Sequence, residues 1–411
     1  MRQLPLEGVR VVDLSMMWAG PYATKMLAEM GAEVIKIESP RAWDNLRTLV
    51  PQDPHIADPW NSAYYFNEYN HHKKSVTLDL ADERGRAVLF KLLAESDVLI
   101  ENYRADVMES LGLTEDVLRR ARGDLVIVSM AGFGKTGPDR NNVGFGPIIE
   151  MMSGLMSLSG YGDDDTPYKT GISYGDPVAG LAAIGAVAMA LIKRRRTGEG
   201  VTVDMAQRET GAKMAGAAFV TSALTGTDPV ATGNRSPRWA PQGCYPARGD
   251  DQWVVVSCTT DDEWAACAEA VGRADLAALS RDERFERHDE LDEVLSGWTS
   301  PLDPRVAVEL LQAQGVPAGR VLDVRTIKDD PQLYARGFWV RVPNEKMHPY
   351  RKHGIVWRLA EANPQLTRRA PWFGEHNDEI LGGLLGLTSA ERADLTEAGV
   401  IATAPVGASA G

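Results

Sequence analysis

Short β-rich apolar runs alternate with stretches of helical period along the first third of the chain. Val9 to Leu14 is a run of strand formers, Tyr22 to Met30 repeats its apolar positions at helical spacing, and Glu33 to Ile37 is β-rich again. This order predicts a βαβ unit. The alternation continues with strands over Ser75–Leu80, Val98–Ile100 and Leu125–Met130, and a helix over Glu83–Leu93. Strands that alternate with helices pair in parallel, so the expected core is an α/β, Rossmann-like, mostly parallel sheet. Two long helices are expected next, from Pro177 to about Arg195 and from Met205 to Ala223, to cover the sheet or a partner subunit. Past Gly226 the chain turns loop-like in NRSPRWAPQG, then gives a strand, Trp253–Ser257, and helices rich in Ala, Glu and Asp. The expected organisation is a large domain over residues 1–225, a smaller α+β domain over 226–330, and a segment, 331–411, returning to the large domain. The small-residue tail Ala402–Gly411 is expected to be disordered.

Composition narrows the possibilities. A chain of 411 residues exceeds what one hydrophobic core usually supports, and 44% hydrophobic with 25% charged residues is ordinary for a folded protein. A net charge of -13 repels nucleic acid and anionic lipid, so neither is an expected partner. A polyanionic ligand would need a local basic or backbone-amide site. Cys244, Cys258 and Cys267 contain no C-x-x-C pair, which argues against a disulfide framework or a zinc site and fits a reducing cytoplasm. The opening MRQLPLEGVRVVDLS has no apolar signal core, and the apolar run Val178–Ile192 is fifteen residues, short of the roughly 20 that a membrane span needs. Neither export nor a membrane anchor is expected.

Several segments could carry chemistry. In Gly175-Asp176-Pro177 the proline suits a first helical position, so Asp176 is expected as an N-cap whose carboxylate is stabilised by the helix dipole. An ionised carboxylate can serve as a nucleophile, although from the tripeptide alone a cap with no other role is the better reading. Gly132-Phe133-Gly134-Lys135-Thr136-Gly137 follows a strand and formally matches G-x-G-x-x-G, but Pro138 to Asn141 stand where the dinucleotide fingerprint needs a helix. A turn-rich loop near a ligand is the better reading. Glu38 ends the second strand as ribose-binding acids do, yet Trp18-Ala19-Gly20-Pro21 lacks the glycine fingerprint. His71-His72-Lys73-Lys74 reads as a solvated loop, and Arg194-Arg195-Arg196 as a solvated helix end.

Taken in order, five stretches resemble the family III, or CaiB/BaiF-type, CoA-transferases. They are LPLEGVRVVDLSMMWAGPYATKMLAEMGAEVIKIE, KKSVTLDL, DVLIENYRADVMESLGL, GDPVAGLAAIGAVAMALIKRRRTGEGVTVDMA and RRAPWFGEHNDEIL. The resemblance implies an enzyme moving coenzyme A from an acyl-CoA to a carboxylic acid, with CoA as substrate and no tightly bound cofactor. It places Asp176 at the nucleophilic aspartate, which would form a mixed anhydride and then an aspartyl-CoA thioester. It maps CoA contacts to Trp18, Ala19, Leu78, Asp79, Leu80, Ala81, Asn102, Tyr103, Arg104, Ala131, Gly132, Phe133 and Gly134, with Arg104 as the phosphate ligand. Gly132 to Gly137 would close over the site and offer N–H groups to oxyanions. Two such chains would interlock as a homodimer.

There are departures from the family pattern. Ser39 and Ala131 stand where its formyl-CoA transferases carry arginine and lysine, and their tetraglycine loop has no counterpart, which argues against formate and oxalate exchange. Lys73, Lys74 or Arg41 would then replace the missing phosphate contacts. Trp18 takes the place of a glutamine in those enzymes, and beside Met16 and Met17 it suggests an acceptor bulkier and more apolar than oxalate. The family's racemases use a histidine in G-H-D, whereas this chain has Gly144-Phe145-Gly146-Pro147 ahead of Ser153-Gly154, and phenylalanine moves no proton. A racemase or isomerase, or a CoA-binding subunit of a heteromeric transferase, are the alternative readings.

Overall fold

The computed structural model describes residues 3–49, 56, 58–161, 166–344 and 350–407. The chain divides into two compact units, one of Met1–Leu155, Lys169–Leu224 and Ala335–Gly411, the other of Met156–Tyr168 and Thr225–Tyr334.

The first unit is built on six parallel strands, β1 (Arg10–Asp13), β2 (Glu33–Glu38), β3 (Lys74–Thr77), β4 (Val98–Glu101), β5 (Val126–Ser129) and β6 (Val201–Asp204). Their order is β3-β2-β1-β4-β5-β6, with Val12 beside Ile35 on one side and Leu99 on the other. Period-2 alternation sorts their apolar residues onto two faces. Val12, Ile35, Leu99 and Ile127 enter one core with Val88, Leu89, Leu92 and Leu93 of helix α2 (Glu83–Ala94), and with Ile380, Leu381, Leu395 and Val400 near the end of the chain. Val11, Val34, Val98, Ile100, Val126 and Val128 enter the other core, beneath α1 (Ala19–Glu29) and a long helix that begins at Gly175. This strand order reverses direction between β1 and β4, and ligands of such sheets bind in the crevice at the carboxyl ends there.

That second cover sets the position of Asp176. The long helix Gly175–Thr197, numbered α4 below, buries Ala179, Ala183, Val187 and Ala190, a stripe at helical spacing, against α1. Small residues let the two backbones approach: a Cβ on Gly180 would lie 3.0 Å from the Ala19 carbonyl oxygen and 2.8 Å from the Tyr22 ring. Asp176 is four residues before Gly180 and shares its face, so this crossing delivers the carboxylate to the start of α1.

Several expectations need correction. α1 begins at Ala19 instead of Tyr22, because Pro21 is tolerated in a first turn. β3 ends at Thr77, since Asp79 N–H leaves the sheet to bond the Val400 carbonyl. The expected fifteen-residue apolar run is part of a 23-residue helix, long and apolar enough by length and composition to cross a membrane. The expected helix Met205–Ala223 resolves into α5 (Gln207–Met214) and α6 (Gly216–Thr225), broken at Ala215, and the edge strand β6 just before it was not expected. Arg194 is tied at 2.6 Å to Asp124 and 2.8 Å to Asp97 instead of solvated. In the tail, Ala402 N–H bonds Thr77 Oγ1 and Val406 N–H bonds the Pro40 carbonyl, while residues 408–411 lie outside the described residues.

The second unit has an antiparallel sheet, β7 (Gln242–Pro246), β8 (Trp253–Ser257) and β9 (Ala318–Arg320), backed by helices around buried Trp264, whose indole N–H bonds the Leu276 carbonyl.

Candidate active site

The turn between β1 and α1 is held by buried polar groups. Asn102, just past β4, accepts from Met16 N–H at 2.8 Å and donates to the Met16 carbonyl at 2.7 Å, so its amide substitutes for a strand partner. Asp44 accepts from Met17 N–H at 3.1 Å, and Met17 takes a left-handed φ of 64°. Beneath the turn, Lys36 pairs with Asp44 at 3.0 Å and donates to the Ser15 carbonyl, while Lys73 pairs with Asp13 at 2.9 Å. Burial works to raise the Asp13 carboxyl, but Lys73, Lys36, Ser15 and Thr24 outweigh it and hold it below its ordinary range.

The run His71 to Lys74 is therefore not a solvated loop. His71 and Lys73 are buried, His71 bonds Glu29 at 2.6 Å, and Lys74 pairs with Glu33 and Glu379. Lys73 and Lys74 are committed to these carboxylates and do not supply the missing phosphate contacts. Arg41 remains 60% exposed, 3.4 Å from Asp79. Glu38 is likewise committed, clamped by the buried Arg47 guanidinium at 2.8 and 2.7 Å.

Asp176 is not the N-cap of α4. Tyr174 holds that position without a side-chain bond, and Asp176 sits inside the first turn with its own N–H on the Ser173 carbonyl. Its carboxylate accepts instead from the Ala19 backbone N–H, at the N-terminus of α1. Burial pushes its pKa up to about 6, the Ala19 bond pulls it down, and the nearby Glu150 charge adds to the rise. Glu150 lies on α3 (Gly146–Met152) and accepts from Thr170 N–H, Thr170 Oγ1 and Tyr174 N–H, fastening the segment that leads into α4. Gly146 packs against the Asp176 carboxylate itself: a Cβ there would stand 1.8 Å from Asp176 Oδ2.

Asp176 opens onto a cavity of about 470 Å³ that is also lined by Trp18, Asn102, Tyr103, Arg104 and Gly132. A second cavity, about 230 Å³, is lined by Leu78, Asp79, Leu80 and Ala81 and shares Met16 and Tyr103 with the first. Ala19, Ala131, Phe133 and Gly134 line neither. Ala19 serves Asp176; the buried Ala131 carbonyl accepts from Gln207 N–H; Phe133 is buried near the Arg208 guanidinium; and Gly134 takes the loop through a φ of 79°. In the expected oxyanion loop, Lys135 N–H is already bonded to Asp204. Arg104 is half-exposed and held by both carboxylate oxygens of Asp106, at 2.6 and 2.7 Å.

Sequence reasoning missed Tyr65, Tyr69, Leu46, Leu49, Ser173 and Gln207, all of which line the larger cavity. The YYFNEY segment holding Tyr65 and Tyr69 was detectable only as an unassigned aromatic cluster. Gly146 had a signal, since its glycine stands in the segment that lacks the racemase histidine.

A parallel sheet of this order, with a buried carboxylate in the crevice at its switch point, defines a Rossmann-like α/β protein whose candidate site lies in that crevice. Residues 6–377 match CoA-transferase family III, and the chain belongs to that family. It is 33% identical to succinyl-CoA–D-citramalate CoA-transferase of Chloroflexus aurantiacus, over 97% of this chain and 98% of that protein. It is 31% identical to succinate–glutarate CoA-transferase of Agrobacterium fabrum, over 93% and 96%. The crystal structure of a CaiB/BaiF family protein from Brucella suis superposes with a TM-score of 0.85 at 31% identity, covering 93% of this chain and all of that one. The chain is thus an acyl-CoA:carboxylate CoA-transferase.

Proposed function

We propose that transfer runs through covalent intermediates on Asp176. An ionised Asp176 oxygen attacks the thioester carbonyl, the C–S bond breaks, and CoA thiolate leaves a mixed anhydride. The thiolate then attacks the Asp176 acyl carbon, releasing the donor acid and leaving an aspartyl-CoA thioester. An acceptor carboxylate attacks that thioester, and the thiolate returns to the acceptor acyl carbon, freeing Asp176. The observation that carries this reading is the position of the carboxylate: buried, in contact with Gly146, bonded by Ala19 N–H and open to the larger cavity. Burial keeps water from the activated intermediates.

In this reading CoA lies at the carboxyl ends of β1–β4. Its nucleotide enters the smaller cavity between Leu78–Ala81 and Val107–Leu111, and its arm passes Met16 and Tyr103 toward Asp176. Arg104 takes a phosphate by exchanging its Asp106 partner. Two chains associate through the outer faces of α4 and α6, where Leu181, Met189, Ile192, Phe219, Val220 and Leu224 are exposed. The enzyme works in the cytoplasm, where its thiols stay reduced. Hydroxylamine added during turnover by the purified chain should convert Asp176 to a hydroxamate, a mass change confined to its peptide, and Asp176→Ala should abolish transfer. An unmodified peptide, or retained turnover, rules out the covalent route.

A further inference from the structure

We infer that the acids exchanged at Asp176 carry one carboxylate and an apolar body, aryl or branched alkyl; this rests on the transfer reaction proposed above. Met17, Trp18, Leu46, Leu49, Tyr65 and Tyr69 line the larger cavity together, and Val143 and Phe145 continue its apolar surface. Leu49, Val143 and Phe145 are 59%, 57% and 51% exposed, so apolar side chains stand in water around one cavity. Water-facing apolar groups gathered at a pocket mark what the pocket binds.

The side-chain amides of the same cavity are already engaged, while the Trp18 indole N–H has no partner. Asn102 spends both ends of its amide on Met16, Gln207 Nε2 donates to the Met130 carbonyl, and Asn142 Nδ2 donates to Asp139. Among the described residues lining this cavity, Arg104 is the only cation; Asp106 holds it bidentately here, and in the transfer reaction proposed above it is taken by a CoA phosphate. A dicarboxylate would bring its second charge into a site that already holds Asp176, with Glu150 close by, and would find no free cation there. An aryl or branched alkyl group meets no such cost, and Trp18 and Tyr69, with ring centroids 5.4 Å apart, offer it aromatic surface.

The test supplies the purified chain with butyryl-CoA or succinyl-CoA and, as competing acceptors, 3-phenylpropionate, isobutyrate, succinate and glutarate. The product thioesters are resolved by mass. The expected result is a kcat/KM at least tenfold higher for the apolar monocarboxylates, with Tyr65→Arg moving the ratio about tenfold toward succinate by supplying the missing cation. Equal or better transfer to the dicarboxylates overturns the inference and leaves the transfer reaction standing. The inference is also overturned if Trp18→Gln and Tyr65→Arg raise the donor KM alike for every acid while the ratio moves less than threefold. The lining then serves the CoA arm. No thioester from any pair, with no hydroxamate on Asp176, removes the transfer reading itself and this inference with it.

Discussion

Asp176→Asn separates catalysis from stability. The substitution keeps the size of the side chain and an oxygen for the Ala19 N–H, but removes the charge that burial disfavours. A carboxyl raised from 3.8 to about 6 is destabilising once ionised. The folded pKa lies above the unfolded one, so the wild type loses stability as pH rises from the unfolded value toward the folded value, and the loss is complete above about 6. Linkage with these values gives a penalty of about 1.6 kcal/mol at pH 5 and about 3 kcal/mol at pH 8. The asparagine variant should therefore be inactive yet more stable, with its advantage about 1.4 kcal/mol larger at pH 8 than at pH 5. Denaturant unfolding of both proteins at the two pH values measures the difference directly. In the wild type, kcat/KM should also rise with pH through about 6 as the free enzyme's nucleophile ionises. A variant that is less stable than wild type at pH 8, or whose advantage does not grow with pH, would show that desolvation does not set the state of Asp176.

Gly146→Ala should cost about a hundredfold in kcat with the circular dichroism spectrum unchanged, because its Cβ would stand 1.8 Å from Asp176 Oδ2 and misplaced nucleophiles lose that much. A loss below tenfold would mean the carboxylate works from elsewhere. Arg104→Ala should raise the donor KM more than it lowers kcat, since a phosphate contact is made equally in ground and transition states, and the effect should shrink in high salt; an unchanged donor KM leaves Arg104 a surface residue. Lys73→Met should destabilise by about 3–5 kcal/mol by stranding the buried Asp13 carboxylate, and Asp13→Asn added to it should restore most of the loss. A cost under about 1 kcal/mol in denaturant unfolding would show that the pair is not what holds the β1–α1 turn.

Most of the strands that the sequence revealed are buried on both faces, although edge strand β3 and the alternately exposed β8 were legible too. β1, β4 and β5 read as apolar runs because each alternates between two cores, and β2 does so apart from Lys36. β6 escaped because VTVD sits at the sheet edge with alternate residues exposed, too short and too polar to separate from the helix expected after it. The run His71 to Lys74 misled for a different reason. Its charge density suggests solvent, but the countercharges Asp13, Glu29 and Glu33 come from β1, α1 and β2, 41 to 60 residues away in sequence. A local reading of polarity has no access to a partner that the sheet brings in.

The same distinction applies at Asp176. Its residue type and its small-residue helix were visible in GDPVAG, and from them an N-cap carboxylate held ionised by its own helix was the natural expectation. The structure reverses the electrostatics. The helix that serves Asp176 is α1, reached because Gly180 and Ala19 let two backbones meet, and the dominant influence is burial, which raises the pKa instead of lowering it. A carboxylate stabilised as strongly as a cap would be a poor nucleophile, since the hydrogen bonds that favour the anion must be weakened when it attacks. One N–H donor in a desolvated site leaves the group ionised at neutral pH but poorly solvated. In the proposed mechanism the reactivity of Asp176 is thus a property of the crossing between α1 and α4, and substitutions at Gly180 should act on catalysis through that crossing without touching a substrate.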